Sequence, residues 1–253
     1  LYFVAFSPEG QRLVSTCNNE AQVWDLATGQ RDLPPLRHTN QVRVAQFSPD
    51  GAKILTGGLD NAARLWDAAT GELLSELSHE RGVLVAAWSS DGNTIATGGR
   101  DFRVRLWDAR SGALRSEPLS HERAPTRLAF SPDGRHLLAT SRENQIRIYD
   151  VTTGGLAVTL EAGAAVHWAS FSPDGQRVLA SGADGFARVW HWPPAQSPTR
   201  FEHAGESVVW TGWSADGQRI LTAGPNQVQV WNSQTGERLG PPPGHNHTIC
   251  HAE

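Results

Sequence analysis

The feature that most constrains this chain is a five-residue phrase that returns six times at nearly constant spacing. It reads Phe-Ser-Pro-Asp-Gly or a close variant, and its aromatic residues stand at positions 6, 47, 88, 130, 171 and 213. An aromatic residue followed by a polar one keeps the same period, at positions 24, 66, 107, 149, 190 and 231. A period of 41 or 42 residues indicates one repeated supersecondary unit, which must stack on its neighbours to bury its faces.

The second repeat shows how one unit is expected to fold. Apolar alternation predicts strands over 42–48, 53–56, 63–66 and 72–77. The turns between them carry Pro, Asp and Gly, which preset φ, bond nearby amides and accept positive φ. Four short antiparallel strands form one blade of an all-β propeller, and we predict six blades plus the first strand of another. Their expected bounds are 1–36, 37–77, 78–119, 120–160, 161–202 and 203–243, with 244–253 beginning the next blade.

Composition restricts the class of protein. The 253 residues are 39% hydrophobic with a net charge of −4, which gives no basic footprint for nucleic acid. No apolar run approaches the roughly 18 residues that span a bilayer. Cys17 and Cys250 lie too far apart in sequence to suggest a disulfide framework, so we expect free thiols and a cytoplasmic location. The chain has no methionine and starts and stops at one point of the repeat, which indicates part of a longer polypeptide with a ring of seven or more blades.

The repeated marks resemble those of the WD-repeat family of β-propellers, and the resemblance covers essentially the whole chain. Members of that family carry a histidine before the first strand, a Ser or Thr on the second, an acid before the third and a Trp on the third. The resemblance implies that these four side chains form a buried hydrogen-bonded set. Two repeats match at every position: His38, Thr56, Asp60 and Trp66, and His79, Thr97, Asp101 and Trp107.

The other repeats keep only part of that set. The fourth has His121 with Glu143 and Tyr149, and the fifth has Asp184 and Trp190 but Ala162 where the histidine is expected. The sixth has Trp231, a displaced His203 and Pro225-Asn226 in place of the acid, and the first has Asn18 or Asn19 there. A His-Asp pair also suits catalysis, but identical active sites in several repeats are improbable, so we interpret the set as structural.

The loops of blades three and four differ from the rest and offer a candidate partner-binding patch. They bring Arg81, Arg100, Arg123 and Arg142 to one rim, with Phe102 beside Arg100. Arginine binds carboxylate or phosphate in a bidentate manner, and an exposed aromatic residue is a common anchor. The alternative is a solvated rim, because acids alternate with these arginines: Glu80, Asp101, Glu122 and Glu143.

Metal, ligand and enzyme signals are weaker. His245, His247 and His251 suggest a metal site, but they lack acid or Cys partners at zinc-binding spacing, so no metal or other cofactor is predicted. Trp168 and Trp210 stand where other repeats have valine, and we expect packing between blades rather than ligand stacking. The segment His191 to Pro194 interrupts the usual turn and predicts an irregular outer edge. Phosphate loops, nucleophile elbows and His-Glu-x-x-His motifs are absent.

The leading functional interpretation is a non-catalytic scaffold or sensor that binds a peptide or partner domain on its loop face. The resemblance also implies a possible signalling kinase or NTPase on the same polypeptide. The first alternative is a propeller enzyme or small-ligand binder that uses the central channel, which would need unlike polar residues converging there. The second is a periplasmic six-bladed propeller of the translocation-protein type, against which the Trp-Asp pairs and preceding histidines argue.

Overall fold

The computed structural model describes residues 3–194, 197–203 and 207–240, and in these residues the only regular secondary structure is β-strand. They fall into two compact units, one drawn from 1–128 with 151–154 and the other from 129–150 with 155–253. Each unit is built from antiparallel sheets whose strands pair in chain order. The predicted all-β class of short antiparallel sheets is thereby confirmed for the described residues.

The first unit holds three four-stranded sheets. Sheet 1 comprises β1 (Val4–Phe6), β2 (Arg12–Cys17), β3 (Glu20–Asp25) and β4 (Leu36–Arg37). Sheet 2 comprises β5 (Val42–Phe47), β6 (Lys53–Gly58), β7 (Ala62–Asp67) and β8 (Leu73–Ser78). Sheet 3 comprises β9 (Val83–Trp88), β10 (Thr94–Gly99), β11 (Arg103–Asp108) and β12 (Leu119–Ser120).

The second unit holds the remaining three sheets, apart from the first two residues of their first strand. Sheet 4 comprises β13 (Arg127–Phe130), β14 (His136–Thr140), β15 (Gln145–Asp150) and β16 (Leu156–Glu161). Sheet 5 comprises β17 (Val166–Phe171), β18 (Arg177–Gly182), β19 (Phe186–His191) and β20 (Thr199–Glu202). Sheet 6 has three strands among the described residues, β21 (Trp210–Trp213), β22 (Arg219–Ala223) and β23 (Val228–Asn232). The predicted start of a further blade at 244–253 lies outside the described residues, and the single domain over 1–253 stays a prediction.

The repeated phrase forms the turn between the first and second strands of each sheet. In sheet 2 the buried Ser48 Oγ donates to Asp50 Oδ1 at 2.6 Å and accepts the Lys53 amide at 2.9 Å. Asp50 Oδ1 also accepts the Ala52 amide, and Gly51 has a φ of 71°. These bonds lower the pKa of Asp50, the one from Ser48 most. The same Ser–Asp bond recurs at 89–91, 131–133, 172–174 and 214–216, so the phrase is a self-contained turn.

The hydrophobic cores lie between successive sheets. Between sheets 1 and 2, Val23 and Leu36 of one sheet pack with Ile54 and Trp66 of the other, and all four are buried or nearly so. The core between sheets 2 and 3 again includes the tryptophan of the later sheet, Trp107. In the second unit Trp231 of sheet 6 packs on Phe201 of sheet 5, with ring centroids 5.7 Å apart. Within each unit the aromatic residue of the third strand therefore fills the space between one sheet and the sheet before it.

We predict that Ser48→Ala lowers the free energy of unfolding by about 1–3 kcal/mol, because it removes the acceptor of a buried amide and the donor to Asp50. Urea denaturation monitored by tryptophan fluorescence would measure the change. Ser78→Ala, on the exposed face of β8, is the matched control and should change it by less than about 0.5 kcal/mol. Equal effects of the two substitutions would contradict a stabilising role for the turn.

Candidate functional site

Three loops of the first unit meet at one end of sheet 3. The loop that joins β10 and β11 lies beside the loop that leads into β9, because the Arg100 amide donates to the Gly82 carbonyl at 2.8 Å. It also lies beside the loop that leads out of sheet 3, because the His121 amide donates to the Phe102 carbonyl at 2.8 Å. The histidine, acid and arginine positions predicted from the sequence all occur in two kinds of loop. One kind connects a sheet to the next sheet, and the other joins the second and third strands of a sheet.

In sheet 2 the four predicted side chains contact one another. The Trp66 indole N–H donates to Thr56 Oγ1 at 2.8 Å, and His38 Nε2 lies 2.7 Å from the same oxygen. On the other side of the ring, His38 Nδ1 lies 2.8 Å from Asp60 Oδ1. The Asp60 side chain is only 3% exposed, and its second oxygen accepts the Thr39 amide. One buried hydroxyl thus joins the third strand of a sheet to the connection from the preceding sheet.

Sheet 3 repeats this arrangement with a longer His–Asp contact. Trp107 Nε1 and His79 Nε2 each lie 2.7 Å from Thr97 Oγ1, whereas His79 Nδ1 is 3.4 Å from Asp101 Oδ2. Burial, followed by the nearby charge of Arg105, lowers the pKa of His79 to about 4, although Asp101 acts in the opposite direction. The imidazole is therefore neutral at pH 7, accepting at Nδ1 from Arg105 (2.8 Å) and donating from Nε2 to Thr97.

An arginine on the third strand completes each network, and the sequence reasoning missed it. Arg64 Nη1 donates to Asp60 Oδ2 at 2.7 Å, and Arg105 Nη1 donates to Asp101 Oδ2 at 2.5 Å. Burial alone would raise the pKa of Asp60, but the bonds from His38 and Arg64 lower it to about 2. The overlooked signal was an arginine four residues after each acid, at positions 64, 105, 147 and 188.

The remaining sheets keep parts of the network. Strand register places Ala139 and Ala180 where sheet 2 has Thr56, because each stands opposite the third-strand arginine, so sheets 4 and 5 lack that hydroxyl. Both keep the acid–arginine pair, Glu143–Arg147 at 3.3 Å and Asp184–Arg188. In sheet 1, Trp24 Nε1 donates to Ser15 Oγ at 2.8 Å.

The sixth repeat keeps its histidine in register although the sequence shows it displaced. The His203 amide donates to the Gly185 carbonyl, as the His38 amide donates to Asn19 O. His203 Nδ1 and Trp231 Nε1 both lie 2.9 Å from Thr222 Oγ1. The additional residue of this repeat therefore follows His203 instead of shifting it.

A glycine at the end of the second strand makes room for the histidine and the acid. A Cβ on Gly58 would lie 2.3 Å from His38 Nδ1 and 2.4 Å from Asp60 Oδ1. On Gly99 it would lie 2.7 Å from Asp101 Oδ1. These contacts are too short for any larger side chain, so the glycine is part of the network although it bears no polar group.

The candidate arginine patch is exposed in the structure, and four of its five residues lie in the first unit. Arg81, Arg100 and Arg123 are exposed, and Phe102 is 46% exposed with a φ of 61°. Arg142 is also exposed with a positive φ, but it belongs to the second unit, in the loop between β14 and β15. Arg81, Arg100, Phe102 and Arg123 therefore lie on neighbouring loops of one unit, whereas Arg142 lies in the other unit.

The acids that alternate with these arginines do not all face solvent. The Asp101 side chain is 1% exposed and bonds to Arg105, which leaves little of its charge for the rim. In the second unit the Glu143 side chain is 9% exposed and pairs with Arg147. Glu80 is exposed and lies 3.6 Å from Arg103, and Glu122 is exposed.

The remaining sequence predictions concern the packing of two tryptophans, metal binding, the cysteines and membrane-spanning helices. Trp168 of sheet 5 and Trp210 of sheet 6 pack with ring centroids 6.0 Å apart, which is the packing between sheets that we expected. Among the described residues no group of three or more His, Cys, Asp or Glu could hold a metal ion. The three histidines at 245, 247 and 251 and Cys250 lie outside the described residues, whereas Cys17 is an exposed free thiol. The part of the chain that the structure describes has no helix able to cross a membrane.

Comparison with protein families agrees with this geometry. The family model described as "WD domain, G-beta repeat" matches residues 1–25, 35–67, 71–108, 115–150 and 156–191, which is more than half of the chain. The chain belongs to the WD-repeat family. Most matched segments begin near the outer strand of one sheet and end at the third strand of the next, so each WD repeat spans two sheets. The sixth repeat lies beyond the matched segments.

A natural protein and a solved structure are both similar to this chain. Protein groucho of Drosophila melanogaster is 36% identical over 76 residues, which are 30% of this chain and 10% of groucho. The match thus spans about a tenth of that protein's length. The crystal structure of the computationally designed Ika8 protein matches 98% of this chain and 76% of its own, with a TM-score of 0.87 and 22% identity. At that identity the likeness shows the fold alone, and the sheets are blades of a WD-repeat β-propeller.

We predict that Asp60→Ala lowers the free energy of unfolding by about 3 kcal/mol or more, because it removes the buried carboxylate that bonds both His38 and Arg64 and leaves Arg64 with only the exposed Glu76 as an acidic partner. Asp67→Ala is the control, since that carboxylate bonds groups of its own exposed turn, the amides of Ala69 and Thr70 and the Thr70 side chain. The control should leave the midpoint of urea denaturation nearly unchanged, because the Asp67 carboxylate is solvated. An unchanged midpoint of urea denaturation for Asp60→Ala would refute the network.

We also predict that His79 makes the protein less stable in acid. Its pKa is about 6.5 when unfolded and about 4 when folded, so between these values only the unfolded state binds the proton. Stability is therefore fully present above about pH 6.5 and is lost as the pH falls towards 4. Between pH 7 and pH 5 the urea midpoint should fall more for the wild type than for His79→Gln. The exposed His191→Gln variant should follow the wild type, and equal falls in all three proteins would contradict the assignment.

Proposed function

We propose that this WD-repeat domain is a protein-binding scaffold and that the exposed rim of the first unit binds an acidic segment of its partner. The rim consists of Arg81, Arg100, Phe102 and Arg123. The observation that carries the proposal is the exposure of three arginines and one aromatic residue on loops that the backbone bonds to one another. WD-repeat domains generally bind proteins, which supports the coarser part of the proposal.

The electrostatics of the loops favour an acidic partner over a plain solvated rim. Asp101 is directed inward and held by Arg105, so its charge does not neutralise the neighbouring Arg100. Among the described residues, no ion pair involves the side chains of Arg81 or Arg100. Guanidinium groups that lack an internal partner can bind carboxylates of another protein in a bidentate manner.

Phe102 adds an apolar contact that the equivalent loop of sheet 2 does not have. The carbonyl of Asn61 accepts the His79 amide as that of Phe102 accepts the His121 amide, so the two residues are equivalent. Both have a positive φ, 68° for Asn61 and 61° for Phe102. Asn adopts this conformation readily, whereas a bulky residue does so rarely. An aromatic side chain that is held here and 46% exposed suits a partner-binding anchor.

We predict that Arg100→Glu and Phe102→Asn each weaken partner binding about fivefold or more, since each removes a rim contact and Asn fits the backbone of that position. The test is affinity capture from a lysate of the source organism with quantitative mass spectrometry. Proteins retained by the wild type are then produced and titrated by calorimetry. Higher salt should weaken their binding as well.

Arg110→Glu is the matched control. Arg110 is an exposed arginine of the same sheet, but it lies in the turn after β11, at the opposite end from the rim. Partners lost from the rim variants but kept by Arg110→Glu would support the proposal. A partner that binds all three variants equally would exclude the rim as its site, and the absence of any partner of the wild type would overturn the scaffold role itself.

The finer expectations from the sequence stay proposals. They are a signalling kinase or NTPase on the same polypeptide, a cytoplasmic location, and a share for Arg142 of the second unit in partner binding. The exposed thiol of Cys17 supports a reducing compartment. Arg142→Glu, assayed alone in the same titration, measures whether the second unit contributes.

A further inference from the structure

The outer edges of the three sheets in the first unit differ from one another. The outer strands β4 and β12 have two residues each, whereas β8 has six. Prolines precede both short strands, Pro34 and Pro35 before β4 and Pro118 before β12. Proline lacks an N–H and fixes φ, and it is a common means of blunting a sheet edge. Sheet 2 therefore has the long outer edge that its neighbours lack.

The backbone of β8 offers hydrogen-bonding groups on its outer side. The sheet order ends at β8, so no described strand pairs with that side. The His79 amide donates inward to Asn61, and because the direction alternates along an antiparallel strand, Ser75 and Leu77 also face β7. The N–H and C=O groups of Glu76 and Ser78 consequently point outward, as on a strand that can accept another strand.

The side chains of β8 do little to protect this edge. It contains no proline, lysine or arginine, and its one charged residue, Glu76, is bonded to Arg64 at 2.9 and 3.0 Å. Leu73 and Leu74 at its start are 50% and 48% exposed. Natural sheets usually blunt an edge of this length with charge, proline or a cover. The bulge at Leu74, which has no residue opposite it on β7, is the only such device, and it leaves Ser75–Ser78 in regular register.

The same combination occurs independently in the second unit. The outer strand β16 has six residues and no proline, whereas prolines precede β20 of sheet 5. Its charged residue, Glu161, accepts a bond from Gln145 at 2.8 Å, and Leu156 at its start is 56% exposed. Sheets 2 and 4 thus share an open edge, and sheets 1, 3 and 5 share proline-guarded edges.

We propose that the outer edges of β8 and β16 each accept an extended, uncharged segment of a partner protein as a fifth strand. The outward N–H and C=O groups would supply the main-chain bonds, and Leu73 and Leu74, or Leu156, would contact its apolar side chains. A partner segment fits better than a second copy of this chain. A stable dimer needs about 20–30 residues from each side, whereas one six-residue edge offers far fewer. This surface is separate from the rim and does not depend on it.

The test uses the 253-residue chain and a fluorescein-labelled peptide, Lys-Thr-Val-Thr-Val-Thr-Val-Lys, and follows binding by fluorescence anisotropy. The central six residues are the uncharged segment, and the flanking lysines only keep the peptide soluble. We expect saturable binding to the wild type. The same peptide with N-methyl groups on alternate amides should bind at least tenfold more weakly, because one of its edges can no longer pair. This comparison leaves the protein unchanged, so misfolding of a variant cannot produce the result.

Protein variants locate the binding. The double variant Leu74→Lys with Leu156→Lys should weaken binding of the unmethylated peptide at least fivefold. The control, Leu26→Lys with Leu239→Lys, alters leucines of similar exposure, 45% and 40%, away from these edges and should bind as the wild type does. Thermal unfolding of both variants checks that they fold.

Several outcomes would overturn the proposal. They are no binding to the wild type, equal binding of the methylated peptide, and equal loss in the control variant. Sedimentation velocity tests the competing occupant: a dimer of the wild type that Leu74→Lys dissociates would show that a second copy covers the edge instead. The two proposals can fail separately. If the peptide results overturn the strand-edge proposal but a rim partner still binds the wild type and the double variant equally, the proposed scaffold function stands.

Discussion

The packing of sheets 2 and 3 depends on a hydroxyl that is buried on the second strand of each sheet. Thr56 and Thr97 each accept the indole N–H of the third strand and are hydrogen-bonded to the histidine that precedes the first strand. A single small side chain therefore connects segments far apart in sequence. Because the hydroxyl is buried, loss of any partner would leave a polar group unsatisfied, which costs about 1–3 kcal/mol. This is the reason that glycine, histidine and tryptophan occur together in the repeats that are complete.

The arginine of the third strand pairs with the acid that the loop directs inward, so the negative charges of these loops are held inside while other arginines stay exposed. Arg64 and Arg105 bond the acids that the loops direct inward, and this keeps the pKa of Asp60 and that of Asp101 below the ordinary value despite burial. The inner acids then contribute little to the field at the rim. The rim can consequently carry exposed arginines in a chain whose net charge is −4.

The repeats agree in their interiors and differ on their surfaces. The Ser–Asp turn and the large aromatic residue recur because successive sheets within each unit pack on one another. The outer edges and the loop tips are free of that demand, and there the repeats diverge: Phe102 stands in place of Asn61, and a six-residue β8 contrasts with a two-residue β12. Sheets 4 and 5 also lack the central hydroxyl, with Ala139 and Ala180 in its place, so the network is not required in every blade.

The sequence by itself determined the repeat and the all-β class, because a fixed period and turn chemistry are local properties of the chain. Its resemblance to the WD-repeat family implied the two complete sets around Thr56 and Thr97. Only the tertiary structure decided which charges meet. That Arg105 reaches Asp101, and that Asp101 turns inward while Glu80 stays exposed, depends on strand register and side-chain direction, which spacing alone does not specify. The in-register position of His203 and the outward groups of Glu76 and Ser78 depend likewise on which backbone groups pair across strands, a long-range property that only the folded sheets define.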